Sequence, residues 1–268
     1  MRIDFMKTCG AMLAALFTVI PAFSQTKLTG SYPPAGYKLS WSDTFDGSSL
    51  DSSKWMYRTD VKASSSQTPQ NVAVTGGNLV IFMRKQTDRS KQYTGGGVIS
   101  KKPFHYGYFE ARAKLFAGTG WHQSVWAMAV TDGSTTYPPN IRTEIDGLEF
   151  DSDAPSKGRM GLIIWQGPSH SQNRSCTAGV RRGPLGVDAT TDFHTYGFEY
   201  TEQKVKYYLD GDLRCVFDYP PADGEHDEIN FWLTAIGYEM HGVKIDDSKL
   251  PGKMLVDFAA FYESETKH

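Results

Sequence analysis

No stretch of this chain repeats its apolar residues at helical spacing. What recurs is a short run of aromatic and β-branched residues closed by Gly, Asp, Asn or Ser. Such runs occur at Val72–Val74, Leu79–Met83, Gly97–Ser100, Tyr108–Leu115, Ser124–Val130 and Met160–Trp165, then at Thr195–Tyr200, Val205–Leu209, Arg214–Tyr219, Ile229–Thr234 and Met254–Tyr262. Side chains branched or flat near the backbone favour an extended chain, and many short strands bury their apolar faces by stacking as a sandwich or closing as a barrel. Gly76-Gly77 and Asp210-Gly211 carry the two-residue signature of tight hairpins. The polar run Ser64 to Thr68 reads as a surface loop, and residues 25 to 40, with Pro33, Pro34 and Gly36, as an extended lead-in.

One run differs from the rest in carrying charge. In R-T-E-I-D-G-L-E-F, Arg142 to Phe150, Glu144 and Asp146 are two apart and share a strand face. Glu149 follows Glu144 by five, an odd interval that turns it to the opposite face unless one residue is looped out. Gly147-Leu148 is the place for such a β-bulge. With the bulge, three carboxylates point one way, while Ile145 and Leu148 point to a core. Three acids crowded at low dielectric repel, so at least one is expected to hold a proton near neutral pH and become a candidate general acid.

The chain opens with Arg2 and Lys7, an apolar run from Ala11 to Ile20, and Ala-Phe-Ser at 22–24. This is the pattern of a secretory leader over 1–24, too short to anchor in a bilayer. It leaves 25–268 as a single domain, expected to be secreted or periplasmic, monomeric and not inserted in a membrane. A net charge of −2 without a basic patch gives no footing for a nucleic-acid partner. Cys176 and Cys215 lie beyond the leader, where oxidation is permitted, but spacing leaves their pairing open. Neither C-x-x-C nor His-rich metal spacing occurs.

The acid run E-I-D-G-L-E resembles the Glu-x-Asp-x-x-Glu signature of glycoside hydrolase family 16, the jelly-roll β-glucanases, agarases and carrageenases. Supporting segments stand in family order: Asn71 to Ile81, Tyr106 to Leu115, Asp192 to Tyr200, Tyr207 to Gly211 and Leu255 to Tyr262. The resemblance implies an all-β, two-sheet antiparallel jelly-roll sandwich of concanavalin A type with a concave cleft for a polysaccharide. It implies Glu144 as nucleophile, Glu149 as general acid and then base, and Asp146 as the neighbour that tunes Glu144. No cofactor is required, and a structural calcium is an option with Asp257 as a ligand. The implied activity is retaining, endo-acting hydrolysis of β-linkages in a glucan or galactan. A jelly roll that only binds sugar is the alternative, which three intact acids argue against.

The chain also departs from the family pattern. W-H-Q-S-V-W at Trp121 to Trp126 is one residue longer between its tryptophans than the usual W-P-A-x-W. Both tryptophans thus become candidates for stacking on sugar, with His122 and Gln123 as hydrogen-bond donors. Trp165 and Trp232 are candidates for the concave face, and Ile164 stands where many members have His. Thr44 in D-T-F replaces a glutamate that binds calcium in many members. Arg142, Arg159, Arg174, Arg181 and Arg182 suggest an anionic polymer, because arginine forks match sulfate and carboxylate. Glu110 and Arg112, two apart, read as a structural ion pair, and His194 as a hydrogen-bonded structural histidine.

Overall fold

A computed structural model describes residues 28–130, 141–166, 169–177, 182–221, 226–239 and 242–266. The leader and Arg181 lie outside them. Every long segment is a strand, and the strands lie in two layers. The outer layer runs Asp212–Asp218, Lys204–Leu209, His194–Tyr200, Gly107–Lys114 and Gly252–Ser264. Beyond the last of these, Tyr37–Asp43 and Asn78–Asp88 share its free edge, and Val72–Thr75 lies outermost. The inner layer runs Trp55–Tyr57, Lys91–Ser100, Asn230–Gly237, Trp121–Met128, Ile141–Asp151, Lys157–Gln166 and Ser169–Ser175. All these pairings are antiparallel. The long hairpin of Asn78–Asp88 and Lys91–Ser100 begins in the outer layer and ends in the inner one, so the layers join as one hydrogen-bonded network. This is the expected jelly-roll sandwich.

Aromatic rings fill the space between the layers. Phe109 of the outer layer stacks on Phe198 at 4.6 Å and meets Phe231 of the inner layer edge-on at 5.6 Å. Edge-on and offset contacts suit the ring quadrupole and add to the gain from burial. Trp41 and Trp55 contact each other near one end of this core, and the Trp55 indole N–H donates to Asp43. Both expected hairpins form, with φ of 61° and 70° at Gly76 and Gly77 and 52° and 86° at Asp210 and Gly211. Asp210 also accepts from Thr195 N and contacts His194 Nδ1 at 2.7 Å, which gives His194 its structural role. Cys176 and Cys215 are bonded, with Cα atoms 5.6 Å apart, tying the end of the inner layer to an outer-layer edge.

Two expectations fail. The Ser64–Thr68 run is not a surface loop: Ser65–Gln67 is a buried strand, parallel to Lys91–Ser100. Its polar side chains are satisfied, Ser65 Oγ donating to Gln67 Oε1 and accepting from Gly237 N. Glu110 and Arg112 do not pair with each other. Glu110 is fully buried, accepting from Ser31, Tyr32 N, Tyr108 and Tyr262. Arg112 instead binds Asp257 at 2.7 Å. Thr44, in the place of the family glutamate, bonds Asp46. Among the described residues no group of three metal-binding side chains gathers. The Asp257 carboxylate is thus engaged by Arg112, and a calcium ion held by it would have to compete with that pair.

Candidate active site

The cleft lies on the outward face of the inner layer, and strand alternation decides what lines it. Ser124, Trp126 and Met128, then Trp232, Thr234 and Ile236, face a cleft of about 740 Å³ together with Glu144, Asp146 and Glu149. The intervening Val125, Ala127, Leu233 and Ala235 are buried beneath. The acid strand would break this alternation after Asp146, and the bulge restores it. Against Trp121–Met128, Asp146 pairs with Trp126 and Leu148 with Val125, which leaves Gly147 without a partner. A β-carbon on Gly147 would come within 2.9 Å of the Phe198 ring and 3.1 Å of Val125 O, so the looped-out residue is held to glycine. Ile145 and Leu148 are fully buried, as expected.

The three acids form a connected group. Trp165 Nε1 donates to Glu144 Oε2 at 2.5 Å. Burial pushes the Glu144 carboxyl up, the Trp165 bond opposes this, and the charge of Glu149 adds to it; Asp146 is in hydrogen-bonding range. Asp146 is only 2 % exposed. Burial, then the charges of Glu149 and Glu144, drive its carboxyl well above the ordinary range. Of the two, Asp146 is pushed further toward the protonated form, in which it can donate to Glu144.

Arg159, directly across from Glu149 in the neighbouring strand, reaches both Asp146, at 3.1 Å, and Glu149 through Nη1. Burial works against its charge, but the charges of Glu149 and Asp146 outweigh this and hold the guanidinium above its usual value. Arg159 is therefore a partner of the acids rather than a free cation awaiting substrate. Arg174 donates to Asp218 O and Gln172, and Arg182 pairs with Asp153 at 2.7 Å; neither lines the cleft. Of the described arginines in the suggested group, Arg142 lines it, as Arg159's partners do.

The tryptophan loop resolves by parity. Trp121 and Trp126 are five apart on one unbroken strand, so they face opposite ways. Trp121 is 1 % exposed against Tyr93 in the core, and so is not a sugar platform. Gln123 is also buried, its amide bonded to Phe116 N and O, which corrects its expected place in the cleft. His122 and Trp126 do face the cleft. Trp126 donates to Thr234 Oγ1 and Trp232 to Met128 O, fixing two rings 4.6 Å apart. Arg58 lies 5.9 and 5.8 Å from their centroids, held in a two-point bond to Asp60. Arg58, Asp60 and Lys62 on the cleft wall escaped the sequence reading, because nothing in M-Y-R-T-D separates them from an ordinary turn.

Known proteins resemble this chain in sequence and in fold. Residues 38–239 match the family described as "Beta-porphyranase A-D, GH16 domain". A beta-glucanase of Rhodothermus marinus is 30 % identical over 252 residues, 84 % of this chain and 85 % of its own. A kappa-carrageenase of Pseudoalteromonas carrageenovora is 26 % identical over 188 residues, covering 61 % of this chain and 47 % of its own, so the present chain spans about half of that relative. In fold, the catalytic domain of an endo-1,3-beta-glucanase (laminarinase) from Thermotoga petrophila RKU-1 superposes with a TM-score of 0.72 at 24 % identity, over 86 % of this chain and 99 % of that one. A match that runs through both layers and across the bulged acid strand places the chain's membership beyond its motif: it belongs to glycoside hydrolase family 16.

Proposed function

We propose that this glycoside hydrolase is a retaining endo-enzyme that cuts internal β-linkages of a galactose-based or anionic polysaccharide. The observation that carries the chemistry is the linked row Glu144, Asp146, Arg159 and Glu149 on one face of two paired strands. In the first step Glu144 forms a bond to the anomeric carbon while Glu149 passes a proton to the departing glycosidic oxygen. In the second, water gives its proton to Glu149 and its oxygen to the anomeric carbon, releasing the Glu144 carboxylate. Such a retaining pair requires carboxyl groups roughly 5 Å apart. One guanidinium nitrogen shared by Asp146 and Glu149, with Asp146 within reach of Glu144, supports close spacing. The open length of the cleft, with Trp126, Trp165 and Trp232 along it, supports attack within a chain rather than at its end.

Charge in the cleft supports the choice of polymer. Lys62 and Arg142 line it as basic groups outside the Arg58–Asp60 pair, and the porphyranase description of the matching family and the kappa-carrageenase relative point the same way. A neutral β-glucan is the second reading, favoured by the Rhodothermus beta-glucanase. The test is reducing-sugar release from laminarin, lichenan, agarose, porphyran and kappa-carrageenan at low salt and near 1 M, where screening shortens to roughly 3 Å. Proton NMR of the first product and a Glu144→Gln control accompany it. Salt-sensitive cleavage of a galactan, β-anomer first and lost by at least ~10³-fold in Glu144→Gln, is expected. Salt-independent cleavage of laminarin or lichenan alone overturns the polymer, and an α-anomer first overturns retention. The leader over 1–24 supports export, which a mature N-terminus at Gln25 would verify and an uncleaved chain would refute.

A further inference from the structure

Glu149 is approached at both oxygens. Oε2 meets Arg159 Nη1, and Oε1 lies 3.5 Å from His122 Nε2. The second ring nitrogen, His122 Nδ1, stands 2.7 Å from Asp151 Oδ1. His122 and Asp151 are direct cross-strand partners, so sheet register holds this pair together. The His122 and Asp151 side chains are 18 % and 11 % exposed. The ring of Tyr238 lies 5.2 Å from that of His122, and Arg182 Nε is 3.5 Å from Asp151 Oδ2. Among the described residues, Asp146 and Glu144 are the other charged groups facing Glu149.

We propose that His122 is a positioning residue that shares the working proton with Glu149, its ring oriented by Asp151; this rests on Glu149 being the acid and base. An ionised carboxylate only accepts, so the Asp151 contact makes Nδ1 the protonated nitrogen. Nε2 then meets Glu149 in one of two ways. As a bare lone pair it accepts from a Glu149 hydroxyl; as N–H it donates to the carboxylate. Arg159 offers only the second, because a guanidinium keeps its protons. A catalytic contact of this length commonly tightens when substrate closes the site. After Glu149 gives its proton to the leaving oxygen, its carboxylate faces Arg159 and a neutral His122. The proton removed from water in the second step returns to the His122–Glu149 pair, so protons balance over the cycle.

Two groups sharing one proton titrate as a pair. The imidazole lies against Oε1 as a second seat for that proton, whereas Arg159 at Oε2 offers none. Removing the imidazole therefore moves the alkaline limb of kcat/KM to lower pH.

The experiment measures kcat and KM against pH for wild type, His122→Phe and Asp151→Asn, on whichever polymer of the panel is cleaved fastest. The expected result is an alkaline limb lowered by about one pH unit in His122→Phe and less in Asp151→Asn. On the acid side kcat should fall less than about tenfold, with KM nearly unchanged. A loss equal at every pH, or an unmoved limb, overturns the proposal. If His122→Phe does not fold, Asp151→Asn decides by the same criterion. Glu149→Ala with azide, on a 2,4-dinitrophenyl glycoside of an oligosaccharide from that polymer, tests the underlying reading separately. Rescue that yields a glycosyl azide of retained configuration supports Glu149 as acid and base. Absence of rescue overturns that role, whereas rescue with an unmoved limb overturns only the part given to His122.

Discussion

Replacing Arg159 by methionine should unfold the site's electrostatics in a way that depends on pH. The side chain is 12 % exposed, and its partners Asp146 and Glu149 are 2 % and 24 % exposed. Removing one member of a buried ion pair costs about 3–5 kcal/mol, because the other is left without a partner. Here Asp146 can take up a proton instead, which caps the cost near the lower end, about 3 kcal/mol at pH 7. For a domain of this size each kcal/mol lowers the midpoint by roughly 2–4 °C, so a drop of about 6–12 °C is expected. The direction with pH follows from Asp146. Its carboxyl is already raised in the folded protein, by burial and then by Glu149 and Glu144, while Arg159 pulls it down. A carboxyl raised on folding favours the folded state below its unfolded value near 4 and weighs against it as pH rises. Without Arg159 it is raised further, so the variant's deficit is small in acid and grows through neutrality. Thermal melts of both proteins at pH 4.5 and pH 8 measure this. A deficit under about 1 kcal/mol, or one equal at both pH values, would refute the reasoning.

Parity along the tryptophan strand predicts that Trp121→Ala costs about 3–5 kcal/mol of stability and leaves KM of the folded fraction unchanged, whereas Trp126→Ala raises KM at smaller cost. Denaturant melts paired with kinetics separate the two, and a raised KM in Trp121→Ala alone would contradict the assignment. The Cys176–Cys215 bond closes a sequence separation of 39, for which chain entropy predicts about 4 kcal/mol. A Cys176→Ser, Cys215→Ser double variant with a midpoint within 2 °C of wild type, against an expected fall of roughly 8–16 °C, would show that the bond does little.

What the sequence discloses follows the physics of each element. Strands with one apolar face announce themselves, and so do hairpins that require φ above zero, as at Gly76-Gly77. The three acids were legible for a related reason: a two-residue period broken by an odd interval calls for a bulge, and glycine marked where. Ser65–Gln67 was hidden because its burial depends on partners at Asp60, Asp88 and Gly237, none of them local. The edge strand Ser169–Ser175 was hidden for the opposite reason, being so exposed that no apolar face is needed. Arg159 stood in plain view, but only the pairing of its strand with the acid strand turns a loose basic residue into the partner of two carboxylates. Trp121 was misplaced because its loop was compared with a shorter pattern instead of being counted in twos from Trp126.

The alternation of the cleft strands has a consequence for how such a protein can change. Ser124, Trp126, Met128, Trp232, Thr234 and Ile236 line the cleft, while their immediate neighbours in sequence are buried between the two layers. A library that varies only every second position on these strands could therefore redraw the preferred polymer with little loss of folded protein. The exception is the run after Asp146, where one looped-out glycine sets the phase. An insertion or deletion there would turn Glu149 toward the core, so in that short stretch the count of residues is held as firmly as the glycine itself.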